Sequence, residues 1–183
     1  AWGQLLESAY ENYGDAAFGI IAGDMVNNGQ NAGQWQAFFT QASPVFSKIP
    51  MMAVPGNHES NHYATGKPVL MNKLLSLPQN GPAGFEEEFY SFDYGDCHIL
   101  CLNSNVFLNE QLEAGTMTPD DFERIKTWIA SDLGSSSATW KIVVMHHPAY
   151  SVVSDKAGAA VLANWVPLFE TAEVDLVLYG HQH

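Results

Sequence analysis

Four short apolar runs, each ending in glycine, proline and potential metal ligands, constrain this chain more than any other feature. AAFGIIAG runs into Gly23-Asp24, KIPMMAVP into Gly56-Asn57-His58-Glu59, WKIVVM into His146-His147-Pro148, and VDLVLY into Gly180-His181-Gln182-His183. Runs of this length, rich in Val and Ile and bounded by Gly and Pro, read as buried strands. Between them lie stretches with helical spacing. Trp2 to Tyr13 places Leu5, Leu6, Ala9 and Tyr10 on one face, and further helices are expected at Gln34 to Ala42, in PVLMNKLLSL, and in AAVLANWVPLFETA as one helix containing Pro167. Thr118-Pro119-Asp120-Asp121 is a helix start, with Thr as N-cap, Pro in the first turn and acidic residues facing the helix dipole. That helix should end near Leu133, before Gly134 and three serines, while FEEEFYSFDYGDCHILCLNSN reads as a hairpin turning at Gly95-Asp96. Alternating helices and strands predict an α/β fold, in which ligands bind beyond the carboxyl ends of the strands. The four tails are therefore expected to meet at one sheet edge.

The balance of 7 Lys+Arg against 20 Asp+Glu, a net charge of −13, excludes two classes of partner. Nucleic-acid backbones and anionic membranes are gripped by basic faces, and seven cations, of which only Arg124 is an arginine, cannot build one. The 183 residues, 46% hydrophobic, suit one folded domain spanning 1–183, with no repeat or linker to divide it. No apolar stretch reaches the ~20 residues of a membrane-spanning helix, and AWGQLLESAYENYG is not a signal peptide. The chain does not begin with Met, so it is not expected to start where its gene starts, which leaves room upstream for a targeting segment.

The tails combine five of the seven histidines with Asp24 and Asn57. Imidazole with carboxylate and amide oxygen is a donor set for Zn, Mn or Fe. A carboxylate can bridge two such ions, and glycines beside the ligands let the backbone approach closely.

GDMVNNG, GNHE, VVMHHP and GHQH follow in order from Gly23 to His183 and resemble the second to fifth motifs of the calcineurin-like metallophosphoesterase superfamily. GNHE, the Val143-to-His146 arrangement and YSFDYG most resemble its purple acid phosphatase branch. The resemblance implies a β-sandwich flanked by helices, an α/β/β/α four-layer domain, here incomplete at both ends. The first Asp-x-His motif and the strands after the last motif are not in the sequence. It also implies hydrolysis of phosphate esters, phosphomonoesters first, by two divalent or trivalent ions holding a hydroxide nucleophile. In that scheme Asp24 bridges the ions, Asn57, His146 and His181 bind the second, and His183 binds the first. His58 protonates the leaving group, while His147 and His62 contact phosphate or support the ligands. Asn27 stands where the purple enzymes carry their ligand tyrosine, so no purple colour is expected. The implied substrates are phosphorylated small molecules or peptides, and the acidic, lysine-poor composition with the purple-phosphatase likeness favours secretion. Because only the second ion has its full ligand set, a second reading is a relative that binds a partner and has no catalysis. A phosphodiesterase of the same superfamily is a third.

Other chemistry-bearing residues read as structural. His147 reads equally as a core histidine. Cys97 and Cys101, about 13 Å apart along a strand at about 3.3 Å per residue, are expected to be buried thiols. His98 points away from Cys97, and Glu86-Glu87-Glu88 reads as a solvated edge.

Overall fold

A computed structural model describes residues 2–60, 67–108, 117–153 and 155–183. His62 lies outside them, so its expected phosphate contact is not part of the structural account.

The order of elements is α1 (Trp2–Asn12), β1 (Gly19–Ile21), α2 (Ala32–Phe46), β2 (Met51–Ala53), α3 (Asn57–Ser60), α4 (Val69–Leu74), β3 (Tyr90–Tyr94), β4 (Cys97–Cys101), a 3-10 turn (Ser104–Phe107), α5 (Pro119–Ser135), β5 (Trp140–Val144), α6 (Lys156–Asn164), α7 (Val166–Thr171) and β6 (Leu176–Leu178). Strands β1 and β2 form a small parallel sheet with Ile20 opposite Met52. The larger sheet runs β3-β4-β5-β6. Its β3-β4 pair is the expected antiparallel hairpin, and β4-β5-β6 are parallel, with Val143 between Leu100 and Val177.

Side-chain alternation sorts the larger sheet into two faces. Leu100, Leu102, Val143 and Met145 pack with Ile125, Ile129 and Leu133 of α5, Val161 of α6 and Phe169 of α7. Ile99, Cys101 and Val144 pack the other way, with Ala53 and Val54 of the small sheet and Trp35 and Phe38 of α2. Helix α1 lies on α2, where Trp2 stacks on Phe38 at 5.5 Å. The Tyr90 hydroxyl donates to Ala53 O at 2.9 Å and ties the two sheets together. The result is the α/β/β/α order implied by the motifs.

Several expectations are corrected. Helix α2 is longer than Gln34 to Ala42: Asn31 caps it, accepting from the amides of Gly33 and Gln34, and it continues through Pro44. Proline cannot bond the carbonyl four residues back; the Ser43 hydroxyl donates to that carbonyl, Thr40 O, at 3.0 Å instead. Helix α5 has the Thr118–Asp121 capping box but runs through Gly134 to Ser135. The single helix around Pro167 is two helices, broken at buried Trp165, because the proline ring and missing amide end one helix and suit the first turn of the next. Cys97 is only half-buried, while Cys101 is buried as expected. Glu88 is 4% exposed rather than solvated. It sits 3.7 Å from Lys67 Nζ and accepts from Asn103 Nδ2 at 2.8 Å, and burial still pushes its carboxyl above the usual range.

His98 joins the hairpin to α5, with Nδ1 2.7 Å from Asp93 and Nε2 2.7 Å from Asp132. Two carboxylates can both accept only from a doubly protonated ring. Asp132 foremost, with Asp93, holds the His98 pKa above its ordinary value against the opposing effect of burial. Lys141, its neighbour across to β5, is the other charge on the adjoining strand. A raised histidine pKa contributes stability that is present below the unfolded value of about 6.5 and is lost as pH rises through the folded value. The melting temperature of wild type minus that of His98→Gln is therefore expected to shrink as pH rises across that window. Circular-dichroism melts in a pH series check this, and a constant difference would exclude the charged staple.

Candidate metal centre

The carboxyl ends of β1, β2, β5 and β6 meet at one point, as the four tails led one to expect. The junction is tight. A Cβ on Gly23, whose φ is +89°, would lie 2.6 Å from both Gly56 N and His146 Nδ1. Asp24 and His181 also have positive φ, 55° and 68°, a strained backbone for residues with side chains.

The polar atoms presented there form a compact set. Asn57 Oδ1 lies 3.1 Å from His146 Nε2 and 3.1 Å from His181 Nδ1, and those nitrogens are 3.2 Å apart. Asp24 Oδ2 is 3.3 Å from His146 Nε2. Ligands about 2.0–2.1 Å from a tetrahedral ion stand about 3.4 Å from one another, so the spacing fits one ion. The proton inventory agrees. His146 Nδ1 donates to Ala22 O at 2.7 Å, which makes Nε2 the lone-pair nitrogen of the neutral ring. That lone pair faces an amide oxygen and a carboxylate, which accept only, and such a cluster calls for a cation.

Burial disfavours charge on both His146 and Asp24, yet their mutual contact prevails: the imidazole pKa is raised and the carboxyl is lowered. Burial and the neighbouring His146 lower the pKa of His181. Ligation of an ion by these imidazoles would require their lone pairs to be free of protons.

The remaining expected residues divide. His58 N–H donates to Asp24 Oδ1 at 3.1 Å, and His58 Nδ1 pairs with Asn27 O at 2.8 Å. His147 is 1% exposed and enters the same cluster, its ring centroid 4.5 Å from that of His181. Its Nδ1 pairs with Ser104 Oγ at 2.8 Å, its buried Nε2 has no hydrogen-bond partner, and burial together with His146 and His181 pushes its pKa down to about 3. A neutral ring with an unpartnered nitrogen suits ligation or phosphate contact, and His146, His147 and His181 keep their ligand atoms within 4.8 Å of one another. His183 is exposed and makes no hydrogen bond to the cluster among the described residues.

Two supporting residues escaped the sequence reading. Glu59, 1% exposed, accepts from Asp24 N (2.8 Å) and Gly56 N (2.8 Å) through Oε2 and from Val26 N (3.1 Å) through Oε1. It thus binds the first ligand loop to the second. Burial, reinforced by the Asp24 charge, pushes its carboxyl above the usual range despite those three amides. Asn105, on the 3-10 turn after β4, donates to Gly56 O at 2.9 Å and Ser60 Oγ at 3.0 Å, bracing the second loop from behind. The acid after His58 was a visible signal; nothing local marked Asn105.

Comparison with known proteins bears on the family and the fold. The chain is 25% identical over 180 residues to an uncharacterized protein of Mycobacterium tuberculosis, covering 93% of this chain and 32% of that protein. It is 24% identical over 178 residues to purple acid phosphatase 18 of Arabidopsis thaliana, covering 90% and 37%. A probable cyclic nucleotide phosphodiesterase of Moraxella catarrhalis is 30% identical over 170 residues, covering 90% and 57%. The chain thus spans about a third of the length of the first two relatives, 32% and 37%. Among solved structures, the purple acid phosphatase PPD1 of yellow lupin superposes with a TM-score of 0.68 at 21% identity, covering 97% of this chain and 32% of that one. GAP50, the anchor in the inner membrane complex of Plasmodium, superposes with a TM-score of 0.59 at 17% identity, covering 100% and 62%. The calcineurin-like phosphoesterase profile matches residues 2–183, and with the motifs and the fold this shows that the chain belongs to the calcineurin-like phosphoesterase family.

Proposed function

We propose that this chain is the core of a phosphoester hydrolase with a dinuclear centre, acting on phosphomonoesters of small molecules or peptides. The convergence of Asp24, Asn57, His146 and His181, with donor atoms 3.1–3.3 Å apart, carries the reading. These four would hold one ion; Asp24 would reach toward a second, to which His183 would contribute. Zn, Mn and Fe all suit the donors. When bound, the ions supply positive charge for the phosphoryl oxygens and lower the pKa of water to about 7 from 15.7, so that hydrolysis needs no Ser or Cys nucleophile.

The chain's own residues supply position and a proton. The Asn27 carbonyl accepts from His58 Nδ1–H, so Nε2 is the nitrogen that, in the doubly protonated ring, would give its proton to the departing oxygen. His147, buried within the same cluster, would support the ligands. With only 7 Lys+Arg against 20 acidic residues, attraction for phosphate must come from the ions.

The test is metal content by mass spectrometry and hydrolysis of aryl phosphates with added Zn, Mn or Fe. About two ions per chain, with activity lost to chelators, is the expected result. His58→Ala should lower kcat about 10²-fold or more on alkyl phosphates, whose leaving groups need a proton, and much less on nitrophenyl phosphate. Equal losses would remove His58 from the acid role. Cyclic nucleotide turnover without monoester turnover would favour the diesterase reading, as in the Moraxella relative's name. A chain that binds metal but hydrolyses neither would favour a binding module, a reading the GAP50 likeness keeps in view.

A further inference from the structure

One side chain at the start of α6 has two oxygens with different occupations. Asp155 Oδ1 caps the helix, accepting from Ala157 N at 3.0 Å. Its Oδ2 is buried and has no hydrogen-bond partner. Buried carboxylate oxygens are normally paired, so this one needs a donor. Among the described residues, the basic nitrogen within ion-pair distance of Oδ2 is His181 Nε2, at 3.8 Å. The other nitrogen of that ring, Nδ1, faces Asn57 Oδ1 and His146 Nε2 at 3.1 and 3.2 Å. The imidazole therefore lies between a carboxylate and the metal centre, one nitrogen toward each.

A neutral imidazole has one N–H and one lone pair, and an ion takes the lone pair. An acceptor on the Nε2 side selects the tautomer in which Nδ1 is bare. Asp155 is held for this task. A Cβ on Gly158, one turn further along α6, would lie 2.2 Å from Pro148 O and 3.2 Å from Asp155 Oδ2, so the helix start is pressed against the loop that carries His146 and His147. His181 itself has a strained backbone, with φ 68°, and its ring needs an external restraint.

We infer that Asp155 is a positioning residue of the metal centre: its Oδ2, 3.8 Å from His181 Nε2, is the acceptor toward which that N–H turns, leaving the Nδ1 lone pair to face the ion. This rests on the metal-centre reading above and adds a residue that none of the four motifs contains.

Asp155→Asn separates the two roles. Asn caps helices about as well as Asp, but its single oxygen cannot serve both Ala157 N–H and His181 Nε2–H, and its NH2 would meet the latter donor to donor. Its melting curve should match that of the unsubstituted chain. Its apparent Zn2+ affinity, measured by competition with a chromophoric chelator, should fall about 10–100-fold, as for other groups that orient a metal-bound histidine. Long-range 1H–15N spectra of the metal-free chain should show His181 protonated on Nε2, with that tautomer depleted in the variant. Asp155→Ser, another cap-retaining change, should lose affinity to a similar extent. Unchanged affinity and tautomer in Asp155→Asn would overturn this inference alone. Failure of the unsubstituted chain to bind Zn2+ would overturn the metal-centre reading and this inference with it.

Discussion

Replacing Asp24 by Asn is expected to abolish phosphoester hydrolysis and weaken Zn2+ or Mn2+ binding beyond the 10–100-fold typical of outer-shell losses, while leaving the metal-free fold intact. The substitution isolates charge from shape. Asp24 sits at φ 55°, a left-handed conformation that Asn tolerates and Ala does not. Asn keeps an oxygen for His58 N–H, which bonds Asp24 Oδ1 at 3.1 Å. It loses the anion that faces His146 Nε2 at 3.3 Å and that would bridge two cations. Calorimetric metal titration and an aryl phosphate assay, beside a thermal melt, check the three parts. Undiminished metal affinity in a folded Asp24→Asn variant would remove Asp24 from the ligand set.

Glu59→Ala should act on the fold instead. Three amides, the buried ones of Val26 and Gly56 and the half-buried one of Asp24, converge on this carboxylate. Bonds to a charged acceptor contribute about 1.5–3 kcal/mol each but not additively, and a buried donor left unpaired costs about 1–3 kcal/mol. A loss of about 4 kcal/mol follows, in the range kept for broken buried networks. At about 2–4 °C per kcal/mol for a chain of this size, the melting temperature should drop by roughly 8–16 °C. Glu59→Gln keeps the volume and one oxygen, and should recover part of the loss. Urea unfolding measures both. A change within about 0.5 kcal/mol for Glu59→Ala would mean that the two ligand loops hold their shape without it.

Much of the fold was legible because its signals are local. Thr118 and Pro119 announce α5, Gly95-Asp96 the hairpin, and β-branched runs the parallel strands. The errors differ in reach. The extent of α2 depended on Ser43 reaching Thr40 O in place of the amide that Pro44 lacks. The break forced by Pro167 falls at Trp165, whose indole lies in the core beside Phe107 and Phe89. Glu88 looked solvated in a run of three acids, but Lys67 and Asn103 meet it inside. The Glu88 outcome turns on contacts 15 or more residues away, which no local window contains.

The centre divides the same way. Sequence alone determined the types of the candidate ligands, their order and their placement at strand ends, because strand period and glycine punctuation are properties of neighbouring residues. Tertiary structure alone decided which nitrogen of each ring is presented, and that Glu59, Ser104, Asn105 and Asp155 support the ligands. His146 and the Ala22 carbonyl that sets its tautomer are 124 residues apart, as are Asn57 and His181. A proton's position on an imidazole is fixed by the acceptor it meets in space, and only the folded chain brings that acceptor within reach.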